Sequence, residues 1–164
     1  MKFICPLIAV EDIERSRKFY EVVLGQRVKF DFGENVTFEG DFAIHLRSHF
    51  QQLIDGKPIQ LGGNGYELYF EADRVDEFAQ KLKQHSVTFV HEVREQPWRQ
   101  KVVRFYDPDG HIIEVGESME YLSYRLHQEG MSVEAIAKAT GLPKEFVKMG
   151  IEKFQVRNMQ KTNQ

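Results

Sequence analysis

The sequence predicts an α+β fold: two similar modules, each a strand, a helix and three strands, form a cupped mixed β-sheet, and C-terminal helices follow. Three observations support this prediction. The same order of strand and helix patterns occurs twice between residues 1 and 118, and such agreement between independent stretches is rare by chance. The 164 residues include 13 Phe and 6 Tyr, which supply large apolar side chains for a core. After residue 118 the apolar spacing becomes helical.

The first module extends over about residues 1–55 and opens with a mostly apolar strand at 2–10. Ile13, Tyr20 and Leu24 then recur at helical spacing and indicate a helix. Asp12 is placed to cap its first turn, and Gly25 is placed to end its last. Glycine-containing turns separate the remaining strand candidates, which are 27–32, 35–38 and 42–47.

The second module, about residues 66–118, follows a glycine-rich connector at 55–65. A strand candidate at 66–72 leads into a helix candidate at 73–85, whose apolar face is formed by Val75, Phe78, Ala79 and Leu82. Further strand candidates are 87–93, 102–106 and 111–115. The last two are joined by the tight turn 107–110, Asp-Pro-Asp-Gly. In such a repeat each helix covers one face of its sheet, and the other faces curve round a shared cavity.

Residues 119–164 form a helical appendage. Its helix candidates are 120–129, 133–140 and 144–154, and Ser132 is a cap for the second of them. Residues 131–143 resemble a helix-turn-helix segment, but the lysines beyond them alternate with Glu145 and Glu152, so the sequence does not favour nucleic-acid binding. We expect these helices to pack against the domain or to bridge a homodimer, and residues 157–164 to fray.

Composition excludes several other classes of protein. A net charge of -3 provides no overall attraction to nucleic acid or to an anionic membrane. The longest apolar stretch, 4–10, is far short of the roughly 20 residues that cross a bilayer, so no membrane partner is expected. Cys5 is the only cysteine and has no partner for an internal disulfide, which together with the lack of an export signal favours a cytoplasmic protein.

Two segments carry a resemblance to a known family. Residues 12–20 with Leu24-Gly25 resemble the first-helix signature of the vicinal oxygen chelate superfamily, and residues 104–115 resemble the signature of its last hairpin. This superfamily includes glyoxalase I, the bleomycin-resistance proteins and the extradiol dioxygenases. The resemblance covers about residues 1–117 and implies paired βαβββ modules that form a cupped sheet.

The resemblance also implies a site for one divalent metal ion, Zn, Fe, Mn or Ni. Superposing the modules matches His45 with Glu114 and Cys5 with Glu67, and in metal-dependent relatives these four positions typically carry His on the first strands and Glu on the last. This chain departs from that pattern at Cys5, His45 and Glu67. All four side chains are nevertheless types that bind transition metals. The implied metal would polarise two neighbouring substrate oxygens, with Glu67 or Glu114 as the catalytic base.

A network of carboxylates and arginines without metal is the rival interpretation of these residues. Arg47 and Arg104 have the strand parity needed to pair with the cavity carboxylates. Tyr69 shares the face of Glu67 and is a candidate for hydrogen bonding to substrate, and Trp98 lies on a polar loop that can close over a ligand. We expect His111 to cap its hairpin. The remaining histidines, His49, His85, His91 and His127, are assigned to the surface.

These features predict a protein that binds a small oxygen-rich molecule in its cup. With a metal, it would perform lyase, isomerase or dioxygenase-type chemistry. The alternatives are a metal-free protein that binds an antibiotic-like molecule and, less favoured, a ligand-sensing regulator.

Overall fold

A computed structural model describes residues 1–162, and these form an α+β fold of eight strands and six helices. The strands are β1 (Leu7–Val10), β2 (Val28–Asp31), β3 (Asn35–Phe38), β4 (Ala43–Leu46), β5 (Gly63–Ala72), β6 (Phe89–Glu95), β7 (Lys101–Tyr106) and β8 (His111–Glu117). The helices are α1 (Ile13–Val22), α2 (Arg47–Leu53), α3 (Val75–Leu82), α4 (Met119–Gln128), α5 (Val133–Thr140) and α6 (Lys144–Thr162).

The two sheets have the same topology, which confirms the predicted repeat. The first has the order β1-β4-β3-β2 and the second the order β5-β8-β7-β6, so each module uses its strands in the same arrangement. In the first sheet β1 runs parallel to β4, and β3 runs antiparallel to both β4 and β2. The register places His45 of β4 beside Ala9 on one side and Asn35 on the other.

By contacts, the described residues form two compact units. The first comprises residues 1–68, 85–90 and 105–113, and the second comprises residues 69–84, 91–104 and 114–164, of which 163 and 164 lie outside the described residues. In the first unit Tyr20 of α1 packs against Phe38 and Phe42, with ring centroids 5.5 and 5.1 Å away. In the second unit α3 buries Val75, Ala79 and Leu82, three of the four residues predicted for its apolar face.

Helix α1 begins and ends where the sequence predicts. The Asp12 side chain accepts a hydrogen bond from the backbone N–H of Arg15, satisfying one of the free donors of the first turn. Beyond the last turn Gly25 adopts a φ of 63°, a left-handed conformation that side chains with a Cβ rarely take.

Two predictions about the first module are wrong. Residues 2–6 lie outside β1, so Cys5 is not on a strand and the parity argument for its side chain does not hold. Residues 47–53 form helix α2, so Arg47 begins a helix rather than ending a strand. Helix α2 has no side-chain cap and no buried residue, so it lacks the two sequence signals by which helices are recognised.

The C-terminal helices have a core of their own within the second unit. It is formed by Leu122, Leu126, Ile136, Val147 and Ile151. Ser118 and Ser132 cap the first two helices, and Gly141 ends α5 at a φ of 76°. Helix α6 extends to Thr162, beyond the predicted end at residue 154. The fraying of residues 157–164 stays a prediction, and residues 163 and 164 lie outside the described ones. The domain boundary at residue 118 stays a prediction. No helix of the described chain is both long and apolar enough to cross a membrane.

Candidate functional site

The first unit contains a pocket of about 560 Å³. Its wall is mostly apolar, and its polar groups come from the connector, the start of β5 and the last hairpin. The lining residues are Pro6, Leu7, Ile8, Ala9, Ile59, Gln60, Gly62, Tyr66, Glu67, Leu68 and His111. An apolar cavity of this size with a few polar side chains is the usual form of a small-molecule site.

His111 lines this pocket and is held by a buried aspartate. Its side chain is 2% exposed, and its Nδ1 lies 2.8 Å from Oδ2 of Asp107, whose side chain is fully buried. A carboxylate only accepts hydrogen bonds, so Nδ1 carries the proton and donates it. In the neutral imidazole the lone pair is then on Nε2. No hydrogen bond to this atom is present among residues 1–162.

Asp107 is itself positioned by the hairpin and by α1. Its Oδ1 accepts hydrogen bonds from the backbone N–H groups of Asp109 and His111. Its Oδ2 also accepts one from the Tyr20 hydroxyl, at 2.9 Å. Burial and the charge of Asp107 raise the pKa of Tyr20 well above its ordinary value, so the phenol stays protonated and keeps donating.

The two signature segments therefore contact one another. Besides the bond between Tyr20 and Asp107, the Ser16 hydroxyl donates to Asp109 at 3.1 Å, and the Arg15 guanidinium pairs with Asp109 at 2.5 Å. The side chain of Asp109 is 4% exposed. These contacts join residues more than 85 positions apart in sequence and fix the hairpin that carries His111.

The connector closes tightly on the same hairpin. A Cβ at Gly62 would lie 2.7 Å from the carbonyl oxygens of both Asp109 and Gly110, and the residue has a φ of +67°. The next residue, Gly63, donates its N–H to the Gly110 carbonyl at 3.1 Å. Only glycine fits at position 62, and its fit holds the connector wall of the pocket in place.

Tyr66 provides a second polar group beside His111. Their ring centroids are 5.8 Å apart. Burial, with a further contribution from the negative charge of Asp107, raises the pKa of Tyr66 to about 12. The hydroxyl is therefore a neutral hydrogen-bond donor at ordinary pH. Neither residue was among the predicted site residues, because their proximity depends on the tertiary fold.

The predicted metal ligands do not form a metal-binding group. Among residues 1–162 no three His, Cys, Asp or Glu side chains are placed to hold a metal ion. Glu67 lines the pocket, and Cys5 is a half-buried free thiol. Glu114, in the second unit, forms an ion pair with Arg104, as the metal-free reading allows. A carboxylate already neutralised by a guanidinium is a poor metal ligand, so the donors present do not fit the implied metal.

His45 is buried among other side chains of the first unit. Its Nε2 lies 2.9 Å from Nδ1 of His49, and its Nδ1 lies 3.3 Å from the Asn35 amide nitrogen. Burial, followed by the neighbouring His49, lowers the pKa of His45. The assignment of His49 to the open surface is therefore wrong, because α2, which the sequence did not reveal, turns it back onto β4.

The predicted arginine and aromatic groups have other partners. Arg47 pairs with Glu11, at 2.8 Å, on the surface of the first unit. In the second unit Trp98 donates to the Gln100 side chain, which in turn donates to the Tyr69 hydroxyl, and Tyr69 donates to Glu71. Gln100 is 2% exposed, and it links Trp98 and Tyr69, which remain 41% and 46% exposed.

Comparison with known families identifies the fold. The family model described as glyoxalase-like domain matches residues 3–120. The chain belongs to the glyoxalase-like family. This confirms the predicted membership of the vicinal oxygen chelate superfamily. The two signature segments that meet at Asp107 and Asp109 both lie inside this glyoxalase-like domain, whereas α5 and α6 lie beyond the match.

Solved structures agree with this assignment. A protein of unknown function from Agrobacterium tumefaciens str. C58 is 44% identical, with a TM-score of 0.67, covering 73% of this chain and 95% of that one. A member of the glyoxalase/bleomycin resistance protein/dioxygenase superfamily from Sphaerobacter thermophilus is 27% identical, with a TM-score of 0.55, covering 72% and 98%. A glyoxalase-related enzyme from Fulvimarina pelagi, 18% identical with a TM-score of 0.62 and coverage of 72% and 89%, shares the fold. No curated protein matches the chain.

Proposed function

We propose that this glyoxalase-like protein binds a small, largely apolar molecule that carries an oxygen, and that it does so in the pocket of the first unit without a protein-held metal. The observation that carries the proposal is the pocket itself, whose wall is mostly apolar and includes the polar residues Tyr66, His111, Gln60 and Glu67. The rings of Tyr66 and His111 lie side by side there, with centroids 5.8 Å apart. Such a wall excludes water, and the few polar groups orient the ligand.

The polar groups of the pocket favour an oxygen on the ligand. Tyr66 is a neutral donor at ordinary pH, as tyrosine normally is, and burial raises its pKa further, to about 12. A phenol O–H donates to a carbonyl or hydroxyl oxygen, and His111 Nε2 accepts from a donor next to it. The rest of the ligand would contact Leu7, Ile8 and Ile59, whose contribution comes from apolar burial.

The proposal that ligand binding needs no metal rests on the contacts of two predicted metal ligands, Glu114 and His45. Arg104 neutralises Glu114, and His45 contacts His49 and Asn35. We therefore expect protein purified without chelator to retain ligand binding after dialysis against a metal chelator. Stoichiometric metal that depends on His45 and Glu114, as measured by elemental analysis of the alanine variants, would instead support the metal-dependent alternative.

The direct test is a substitution that fills the pocket with a larger side chain. Ile59 is half-buried in the connector, and replacing it by Trp places a large ring in the cavity, so ligand-observed NMR with a fragment library should show loss of binding in I59W. L53W is the matched control, because Leu53 is 62% exposed and does not line the pocket. Fragments that bind I59W as well as the wild type would contradict the proposal.

Three further expectations remain part of this proposal. The protein is a homodimer, it resides in the cytoplasm, and it does not bind nucleic acid. The proposal extends to lyase- or isomerase-type catalysis only if the pocket performs proton transfer.

A further inference from the structure

We infer that Asp107 and His111 form a proton-transfer dyad in the pocket, with His111 Nε2 as the proton acceptor, and that the ligand class is a small molecule with a weakly acidic hydroxyl, such as a phenol or an enol. This inference rests on the proposed function, because it uses the same pocket. It adds a chemical role that binding alone does not require.

The first argument is the orientation of the imidazole. Nδ1 of His111 donates to Asp107 at 2.8 Å, which leaves the lone pair of the neutral ring on Nε2. The ring lines the cavity. A buried imidazole that lines a cavity, and whose second nitrogen makes no hydrogen bond to residues 1–162, is suited to accept a proton from a bound molecule.

The second argument is the support given to Asp107. Its carboxylate accepts from two backbone N–H groups and from the Tyr20 hydroxyl, in addition to His111. These fixed donors keep the carboxylate in position. A carboxylate held against Nδ1 stabilises the imidazolium that forms when Nε2 takes a proton. Asp107 is thus a positioning residue, and His111 is the group that touches the ligand.

The third argument is the place of Tyr66. Its hydroxyl can donate a hydrogen bond, and its ring lies 5.8 Å from the His111 ring. When the ligand O–H bond breaks, the proton forms a bond with Nε2 and the electron pair stays on the ligand oxygen. Tyr66 then donates a hydrogen bond to that anionic oxygen. The step moves one proton and needs no oxidant, reductant or metal.

The probe for this inference is p-nitrophenol, because its phenolate and its neutral form absorb at different wavelengths. Bound to the wild type at a pH where the free probe is mostly neutral, it should show the phenolate band. H111Q should still bind it but lose that band, and D107N should weaken the band. H127Q is the matched control, because His127 contacts the Met131 carbonyl in the second unit and should leave the band unchanged.

The outcomes separate the inference from the proposed function. Suppose that fragments bind the pocket but that p-nitrophenol does not bind, or binds in its neutral form. The inference of a proton-transfer dyad is then overturned, and the proposed binding function stands. If no fragment binds at all, the proposed function itself fails. A phenolate band that persists in H111Q overturns the dyad as well.

A second measurement keeps the inference testable should H111Q or D107N fail to fold. Imidazole nitrogen NMR of the wild type reports which ring nitrogen carries the proton. The inference requires the Nδ1–H tautomer for His111 in the neutral ring. Observation of the Nε2–H tautomer would overturn it, because that nitrogen could not then accept a proton.

Discussion

At the scale of single residues, the Tyr20 hydroxyl is where the two signature segments of the family meet. It is fully buried and donates to Asp107, which in turn holds His111. We expect Y20F to cost about 1–2 kcal/mol of unfolding free energy, because a buried carboxylate loses one of its donors. Urea denaturation measures this directly.

The control for this prediction is Y106F. The Tyr106 hydroxyl donates to Asn64 at 3.0 Å on the exposed surface of the same unit, where water replaces the lost bond, so we expect a change within about 0.5 kcal/mol. Equal losses in Y20F and Y106F would show that the buried hydroxyl has no special importance.

The site residues themselves were only partly predictable from the sequence. Glu67 lines the pocket of the first unit, and its predicted role as a metal ligand or base stays a prediction. His111, predicted to cap its hairpin, does bond to Asp107 within that hairpin. Its position in the pocket depends on Tyr66 and on the connector, which come together only through tertiary contacts. The alternation of side chains along a strand could not predict which way Cys5 and Arg47 face, because neither residue is on a strand.

At the scale of elements, the connector before β5 depends on one glycine. G62A should destabilise the protein by more than about 2 kcal/mol, because the new methyl group would meet two backbone carbonyl oxygens at 2.7 Å in a left-handed conformation. It should also weaken ligand binding, since Gly62 lines the pocket.

The matched control is G56A. Gly56 has a similar φ of +73°, but a Cβ there would meet no atom within 4 Å, so only the conformational cost of about 1–2 kcal/mol applies. The difference between the two variants in thermal or urea unfolding measures the clash alone. A G62A variant as stable as G56A would contradict the close approach of Gly62 to the carbonyl oxygens of the hairpin.

Most elements were predictable because their signals are local. Apolar spacing and the Asp12 cap located α1, and the Asp-Pro-Asp-Gly turn located the last hairpin. Helix α2 was missed because its residues carry neither a cap nor a buried face. Helix α6 runs further than predicted, to Thr162, although its later residues show no apolar periodicity.

At the scale of the whole molecule, the C-terminal helices are joined to the glyoxalase-like domain by an ion pair within the second unit. Glu117 of β8 is 2% exposed and pairs with Arg125 of α4 at 2.8 Å. Burial opposes the charge of Arg125, but its hydrogen bonds with Glu117 and Glu129 outweigh that effect and raise its pKa. Arg125 also donates to the backbone carbonyl of Arg99.

We therefore expect R125M to lower the unfolding free energy by about 3–5 kcal/mol, because it leaves the buried carboxylate of Glu117 without its counter-charge. The double variant E117Q/R125M should recover part of the loss, since no charge remains buried. The control K153M removes the partly exposed pair of Lys153 with Glu120 and should change stability by less than about 1 kcal/mol. A loss in R125M no greater than in K153M would contradict this prediction.

The buried acid at the end of β8 sets a rule for relatives of this chain. A homologue that stops where the domain match ends, near residue 120, has no α4 arginine to offset a carboxylate at position 117. Such a homologue must carry a neutral residue there or recruit a cation from another segment. The residue at this position, together with the cation that faces it, therefore indicates whether the last strand of a relative lies beneath an added helix.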